Sequence, residues 1–329
     1  MAHRSAVLAV LVVLGPAAPL LAQEARFENL QVLPADVSRA DLNRVMLDNL
    51  TGLGLPRRQN EGCLYCHVGN MEDAVDTWDF ASDDKPAKQT ARVMMRMVRE
   101  INDRHLAGLA KRVAPRLRVT CQTCHAGRTD PRPLADVLWA TYEQDGIEAA
   151  IARYGELRTR YFGADAYDFR VGVLLGLVGR MASAGAHADA LALAGANLES
   201  YPDSPVAHQS RMLLILDQLV IERGIGDALA EFERLRASEN GQYVSPALLD
   251  GLGWRLARRD RLDVALQVFE RNLSVYPDQY VPMESLADGL WQSGDRERPI
   301  EMFEEWLERH PDHAMARRRL TNLRERVRR

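Results

Sequence analysis

By the spacing of its apolar positions, the chain predicts helices almost throughout. In "VSRADLNRVMLDNL", Leu42, Val45, Met46 and Leu50 fall on one helical face. Ser38 and Asp41 stand at capping-box spacing, flanked by Val37 and Leu42 as a hydrophobic staple. A second stripe runs through "DDKPAKQTARVMMRMVREINDRHLAGLAKR" as Ala87, Ala91, Met94, Val98, Ile101 and His105. That segment opens with acidic residues and Pro86, as helix starts do. Its stripe is expected to face the core, with Met97 near it and Met95 turned away.

From about Leu134 the pattern is again helical, rich in Ala and Leu, and it repeats. "ALALAGANLESYPD", "ALQVFERNLSVYPD" and "PIEMFEEWLERHPD" align without gaps. Pro277 and Pro311 stand 34 residues apart, the period of tetratricopeptide repeats. Gly185, Asp260 and Gly294 mark one inter-helix turn, and Phe269 and Phe303 one inner position. Looser copies place Phe232 and Tyr154 at that position, which predicts about five stacked helix pairs. The closing "ARRRLTNLRERVRR" is a basic amphipathic helix, read as a solvated cap that is open to peripheral membrane contact.

Composition adds limits. The chain has 329 residues and a formal net charge of −4, so nothing points to a nucleic-acid partner. His3 and Arg4 precede an apolar run, "AVLAVLVVLGPAAPLLA", interrupted by Gly15, Pro16 and Pro19. With Ala22 before Gln23, this reads as a secretory signal peptide over residues 1–22. The mature chain is then expected in the periplasm, soluble or peripherally associated with the membrane.

All four cysteines lie in two clusters, "EGCLYCHVGN" and "VTCQTCHAGR". Two disulfides, one zinc site or redox pairs would each use Cys-x-x-Cys, but none requires a histidine after both pairs. Covalent attachment of haem c does, because the cysteines form thioethers and the adjacent His ligates the iron. Cys63, Cys66 and His67 are therefore candidate holders of one haem, and Cys121, Cys124 and His125 of a second. The sixth iron ligand decides between electron transfer and small-molecule binding. Met46 lies on the stripe before the first motif, while Met94 and His105 compete before the second, with Met97 close by.

The stretch "FENLQVLPADVSRADLNRVM…EGCLYCHVGN…FASDDKPAKQTARVMMRMVREIN…VTCQTCHAGRTDP" resembles the cytochrome c subunit of bacterial photosynthetic reaction centres. The resemblance covers roughly residues 27–133, one of the two similar halves of a four-haem family. It implies that the Met of each preceding helix is the distal iron ligand. Met46 in "NRVM" takes that role for the first haem. Met94 takes it for the second, as the first Met of a helix ending in Arg99-x-x-Asn102, which leaves Met97 as a packing residue. The chain departs from the family in lacking the second haem-bearing half and in a longer loop around "GLPRRQ". It also carries Gly108 where the family has a His reaching another haem, with His105 one turn earlier.

The sequence thus predicts an all-α protein with a signal peptide (1–22), a dihaem cytochrome c domain (23–133) and tetratricopeptide-like repeats (134–329). The expected role is transfer of single electrons between periplasmic or membrane-bound redox proteins, without enzymatic chemistry and with a protein partner docked by the repeats. Three other readings stand beside it: an electron donor subunit of a photosynthetic reaction centre, a dihaem peroxidase, and a redox-sensing scaffold.

Overall fold

A computed structural model describes residues 27–109 and 117–328. The expected signal peptide lies outside the described residues. Among those residues the chain is helical, with one isolated bridge between Val68 and Asp79 and no strand. No described helix is long and apolar enough to cross a membrane. Contacts divide the chain between Pro131 and Arg132.

Among the described residues of the first unit, the α-helices are α1 (Arg39–Leu53), α2 (Pro86–Glu100) and the short α3 (Cys121–His125). Helix α1 starts where the sequence marks it, with the Ser38 hydroxyl accepting from Asp41 N at 3.1 Å. It stops at Gly54, which adopts φ 64°. A Cβ at Gly54 would fall 2.0 Å from Gly127 O, so the residue is needed both for its backbone angle and for the close approach. Gly52 is equally close to the second cysteine motif. Its carbonyl accepts from Gly127 N at 3.0 Å, and a Cβ there would meet Cys121 Cβ at 2.7 Å.

Helix α2 has Pro86 in its first turn and runs on into a π-helical turn, Ile101–Leu106. Its burial differs from the expected one. Lys88 and Arg92 are 9% and 6% exposed, whereas Val93, Met94 and Met97 are 54%, 37% and 43% exposed. The cationic face is the inner one because backbone carbonyls and Asp83 receive its charges. Of the anticipated stripe, Ala87, Ala91, Val98 and Ile101 are half-buried, and Met94 and His105 are exposed.

The second unit is a run of helix pairs. Helix α4 (Leu134–Tyr161) bends at Gly146 into two halves. Then follow α5 (Val171–Ser183) with α6 (His187–Ser200), and α7 (Pro205–Arg223) with α8 (Ile225–Ala237). After them come α9 (Pro246–Ala257) with α10 (Leu262–Val275), α11 (Tyr280–Ser293) with α12 (Arg298–Arg309), and the closing α13 (Ala314–Arg328). Gly146, Gly185, Gly224, Asp260 and Gly294 all take positive φ, between 58° and 100°, at the turn within each pair. Such angles suit glycine, with aspartate tolerated.

The repeats have one internal logic. Ala150, Ala190, Ala228, Ala265 and Pro299 are the small buried residues that let the second helix of each pair approach the first. Four residues on, Tyr154, Phe232, Phe269 and Phe303 fill the core, and Ala194 takes that place in the second pair. Phe269 lies so tightly on Gly253 that a Cβ there would meet its ring at 2.3 Å. Asn197 and Asn272, fully buried at matching positions, donate to Val171 O and Pro246 O at 3.4 and 3.0 Å. Each ties the second helix of its pair to the first residue of the first helix.

Candidate haem-binding site

Both Cys-x-x-Cys-His segments fold as single helical turns. In the first, the Cys63 carbonyl accepts from Cys66 N at 3.1 Å and His67 N at 2.9 Å. In the second, Thr120 and Thr123 form a reciprocal cap at the start of α3, and Ala126 ends it at φ 48°. One turn places the two cysteines of each motif and the following His on neighbouring positions of the same surface. None of the four thiols is in a disulfide. Among the described residues, no three His, Cys, Asp or Glu side chains gather as a metal cluster, so the two cysteine pairs do not form one four-sulfur site.

Each histidine ring is held from behind. His67 Nδ1 lies 3.2 Å from Phe80 O, and His125 Nδ1 lies 2.8 Å from Arg128 O. A carbonyl oxygen can only accept, so Nδ1 carries the hydrogen and Nε2 keeps its lone pair. This is the tautomer an iron-ligating histidine requires. Burial, then the Lys88 ammonium, lower the affinity of His67 for a second proton, against the pull of the Phe80 carbonyl; Arg92 adds to the lowering. Burial likewise raises the thiols of Cys63, Cys66 and Cys121 above the usual range.

The loop after His67 is built around it. The bridge from Val68 to Asp79 closes the loop, and the Trp78 ring lies over Gly69, where a Cβ would meet Cγ at 2.5 Å. Phe80 contacts the His67 ring edge-on at 5.0 Å between centroids. Lys88 Nζ, from α2, donates to the carbonyls of Phe80, Ala81 and Ser82 at 3.0, 2.9 and 2.6 Å. Arg92 pairs with Asp83 at 2.7 Å and reaches Asn29 O at 3.1 Å.

The end of α1 adjoins both motifs. A Cβ at Gly62 would meet Leu50 Cδ2 at 2.9 Å, and Cys121 Sγ lies 3.4 Å from Asn49 Oδ1. Helix α2 likewise serves both. Its first half reaches the loop behind His67 through Lys88. Its end holds the approach to Cys121 through Asn102, which exchanges bonds with Val119 N at 2.9 Å and Val119 O at 2.8 Å. Arg99, one turn earlier, donates to Val32 O at 2.6 Å. The Arg99-x-x-Asn102 pair thus pins two distant segments against one helix.

Met46, half-buried, is on α1, and Met94 is on the open apolar face of α2 with Val93 and Met97. His105 is exposed in the π-helical turn. The sequence reading did not single out Lys88, Arg92, Phe80 or Trp78. Their role depends on contacts with residues far along the chain, and only the charge of Lys88 and Arg92 beside an apolar stripe hinted at it.

Haem fits these residues. Among the described residues of this unit, the buried apolar side chains are Val32, Leu50 and Trp78. Apolar side chains at Leu47, Tyr65, Phe80, Val93, Met94 and Met97 are exposed around the two motifs instead. A flat apolar group attached at each cysteine pair would cover such surface and supply the missing core. The Trp78 indole N–H, buried without a hydrogen-bond partner, is a donor suited to a carboxylate such as a haem propionate.

Comparison with known proteins finds a family match that begins in the first unit and runs on into α4. Residues 15–158 match the family described as the photosynthetic reaction centre cytochrome C subunit. No curated protein matches the chain. Among solved structures, similarity is found to TTC0263, a thermophilic TPR protein of Thermus thermophilus, at 14% identity and TM-score 0.29, covering 58% of this chain and 96% of that one. MamA from Desulfovibrio magneticus RS-1 is similar at 14% identity and TM-score 0.28, covering 55% and 95%. YrrB, described as a TPR protein with an unusual peptide-binding site, is similar at 16% identity and TM-score 0.26, covering 56% and 88%. The chain joins a segment similar to the reaction-centre cytochrome to tetratricopeptide-like repeats.

Proposed function

Starting from a cytochrome-like segment joined to helical repeats, we propose that the chain is an exported dihaem c-type cytochrome. It passes single electrons between periplasmic or membrane-bound redox proteins and does not itself make or break substrate bonds. The observation that carries this reading is the pair of one-turn Cys-x-x-Cys-His motifs with both Nδ1 atoms hydrogen-bonded to backbone carbonyls. Bound haem would supply reversible one-electron chemistry at its iron. Cys63 and Cys66 would hold one haem with His67 below it, and Cys121 and Cys124 the other with His125.

The chain's own residues then do three things. The Phe80 and Arg128 carbonyls fix the histidine tautomers. Met46 and Met94 are the proposed distal ligands, Met94 standing on an apolar face that attached haem would cover. The repeats dock a protein partner, as stacked helix pairs commonly do. The family match favours, as a second reading, an electron donor working with a photosynthetic reaction centre.

The test is the reduced absorption spectrum of the matured protein before and after carbon monoxide. Filled distal sites predict no change at either haem, and replacing Met46 or Met94 by Ala should open one site each. A shift at one haem in the wild type would contradict electron transfer with both axial positions occupied and turn the reading toward the peroxidase or sensor.

A further inference from the structure

The carbonyl behind His67 is shared. Phe80 O takes His67 Nδ1 at 3.2 Å and Lys88 Nζ at 3.0 Å. Lys88 is buried, its ammonium ringed by three carbonyls, with Asp83 at 3.4 Å. Buried Arg92 reaches the same Asp83 at 2.7 Å. Two buried cations therefore share the Asp83 carboxylate behind the proximal histidine of the first motif, while the Asp79 carboxylate caps the amides of Ala81 and Ser82 in the same loop. At His125 the contact to the Arg128 carbonyl is shorter, 2.8 Å.

We propose that Lys88 is a positioning residue that raises the reduction potential of the haem held by Cys63, Cys66 and His67. The inference rests on the haem-binding reading above. Two effects act in the same direction. An ammonium on Phe80 O draws electron density from that oxygen, so His67 Nδ1–H donates to a weaker acceptor. The imidazole then keeps less anionic character and gives less electron density to the iron. In addition, one-electron reduction removes one positive charge from the ligated iron. A buried cation nearby disfavours the oxidised state more than the reduced one, and burial leaves it poorly screened. Lys88 also locks the loop carrying Phe80 to α2, so the carbonyl cannot turn toward His67 to restore a stronger bond.

The test is a potentiometric titration of the full matured chain with dithionite and ferricyanide, following both haems. The first wave is assigned by its loss in the variant with Cys63→Ser and Cys66→Ser. Lys88→Met should lower that midpoint by at least a tenfold change in the one-electron equilibrium, about 59 mV, and leave the other in place. Lys88→Arg should stay closer to wild type, and Asp83→Asn, which removes the counter-charge, should move the same midpoint upward.

An unmoved first wave in Lys88→Met, or equal movement of both waves, overturns the proposal. If Lys88→Met does not mature, Asp83→Asn decides: no upward shift confined to the first wave overturns it. A wild type without two covalent haems would defeat the haem-binding reading itself. Two haems with midpoints indifferent to these substitutions would defeat only the role of Lys88.

Discussion

Asn102 offers a direct measure of how the second cysteine motif is held. Its side-chain amide donates to Val119 O at 2.8 Å and accepts from Val119 N at 2.9 Å, two residues before Cys121. It also donates to Val98 O at 2.8 Å, but that oxygen already receives the Ile101 N–H of the helix. Asn102→Ala therefore removes two bonds whose partners have no replacement within the helix. At about 1 kcal/mol net for each, the cost is about 2 kcal/mol. With a urea dependence of ~2 kcal/mol/M, the unfolding midpoint should fall by ~1 M. The assay is urea unfolding of the matured chain followed by haem absorbance, with far-UV circular dichroism reporting the repeats separately. Asn102→Asp should also destabilise, because a carboxylate keeps the bond from Val119 N but faces two carbonyls without a proton to offer. A haem-monitored midpoint unchanged in Asn102→Ala, or Asn102→Asp equal to wild type, would refute this account.

Phe269→Ala should cost about 3–5 kcal/mol in the repeat unit, since the ring is fully buried against Gly253 and Trp254; calorimetry should show a lowered repeat transition. Gly54→Ala should be more damaging than Gly185→Ala in thermal melts. Both have positive φ, but only at Gly54 does a Cβ strike backbone, whereas Gly185 opens to free space and should cost about 1 kcal/mol. Hydrogen bonds from Arg170, chiefly its guanidinium, hold the Asp168 carboxyl down to about 2. A depressed carboxylate stabilises the folded state above the ordinary range near ~3.9 and loses that contribution as pH falls through about 2. Carbon-detected NMR titration should find the Asp168 midpoint low in the wild type and back toward the ordinary range in Arg170→Ala.

The repeats were legible because their constraints are local and recurrent. Alignment of three short copies located the turns at Gly185, Asp260 and Gly294 and the buried Phe269 and Phe303. Gly146 and Gly224 also bend the chain within their pairs, but with ψ near 180° where Gly294 has ψ near 0°, and four rather than five residues before the small buried Ala150 and Ala228, so the spacing of the aligned copies did not mark them. The matched asparagines at 197 and 272 were also missed, their partners being carbonyls 26 residues away.

In the first unit the cysteine and histidine pattern was plain, but the inner face of α2 was not. Periodicity assigns an apolar stripe without saying what it faces. Lys88 and Arg92 turn inward because the carbonyls of residues 80–82, Asn29 O and Asp83 receive them, and no local pattern announces such partners. Val93, Met94 and Met97 are then left exposed, where attached haem would cover them.

The most direct test of the central claim is the intact mass of the exported, matured chain, with fragmentation to locate any added group. The account predicts the mass of two haems, one on the peptide with Cys63 and Cys66 and one on that with Cys121 and Cys124. Four free thiols, a disulfide, or a haem at only one pair would contradict it.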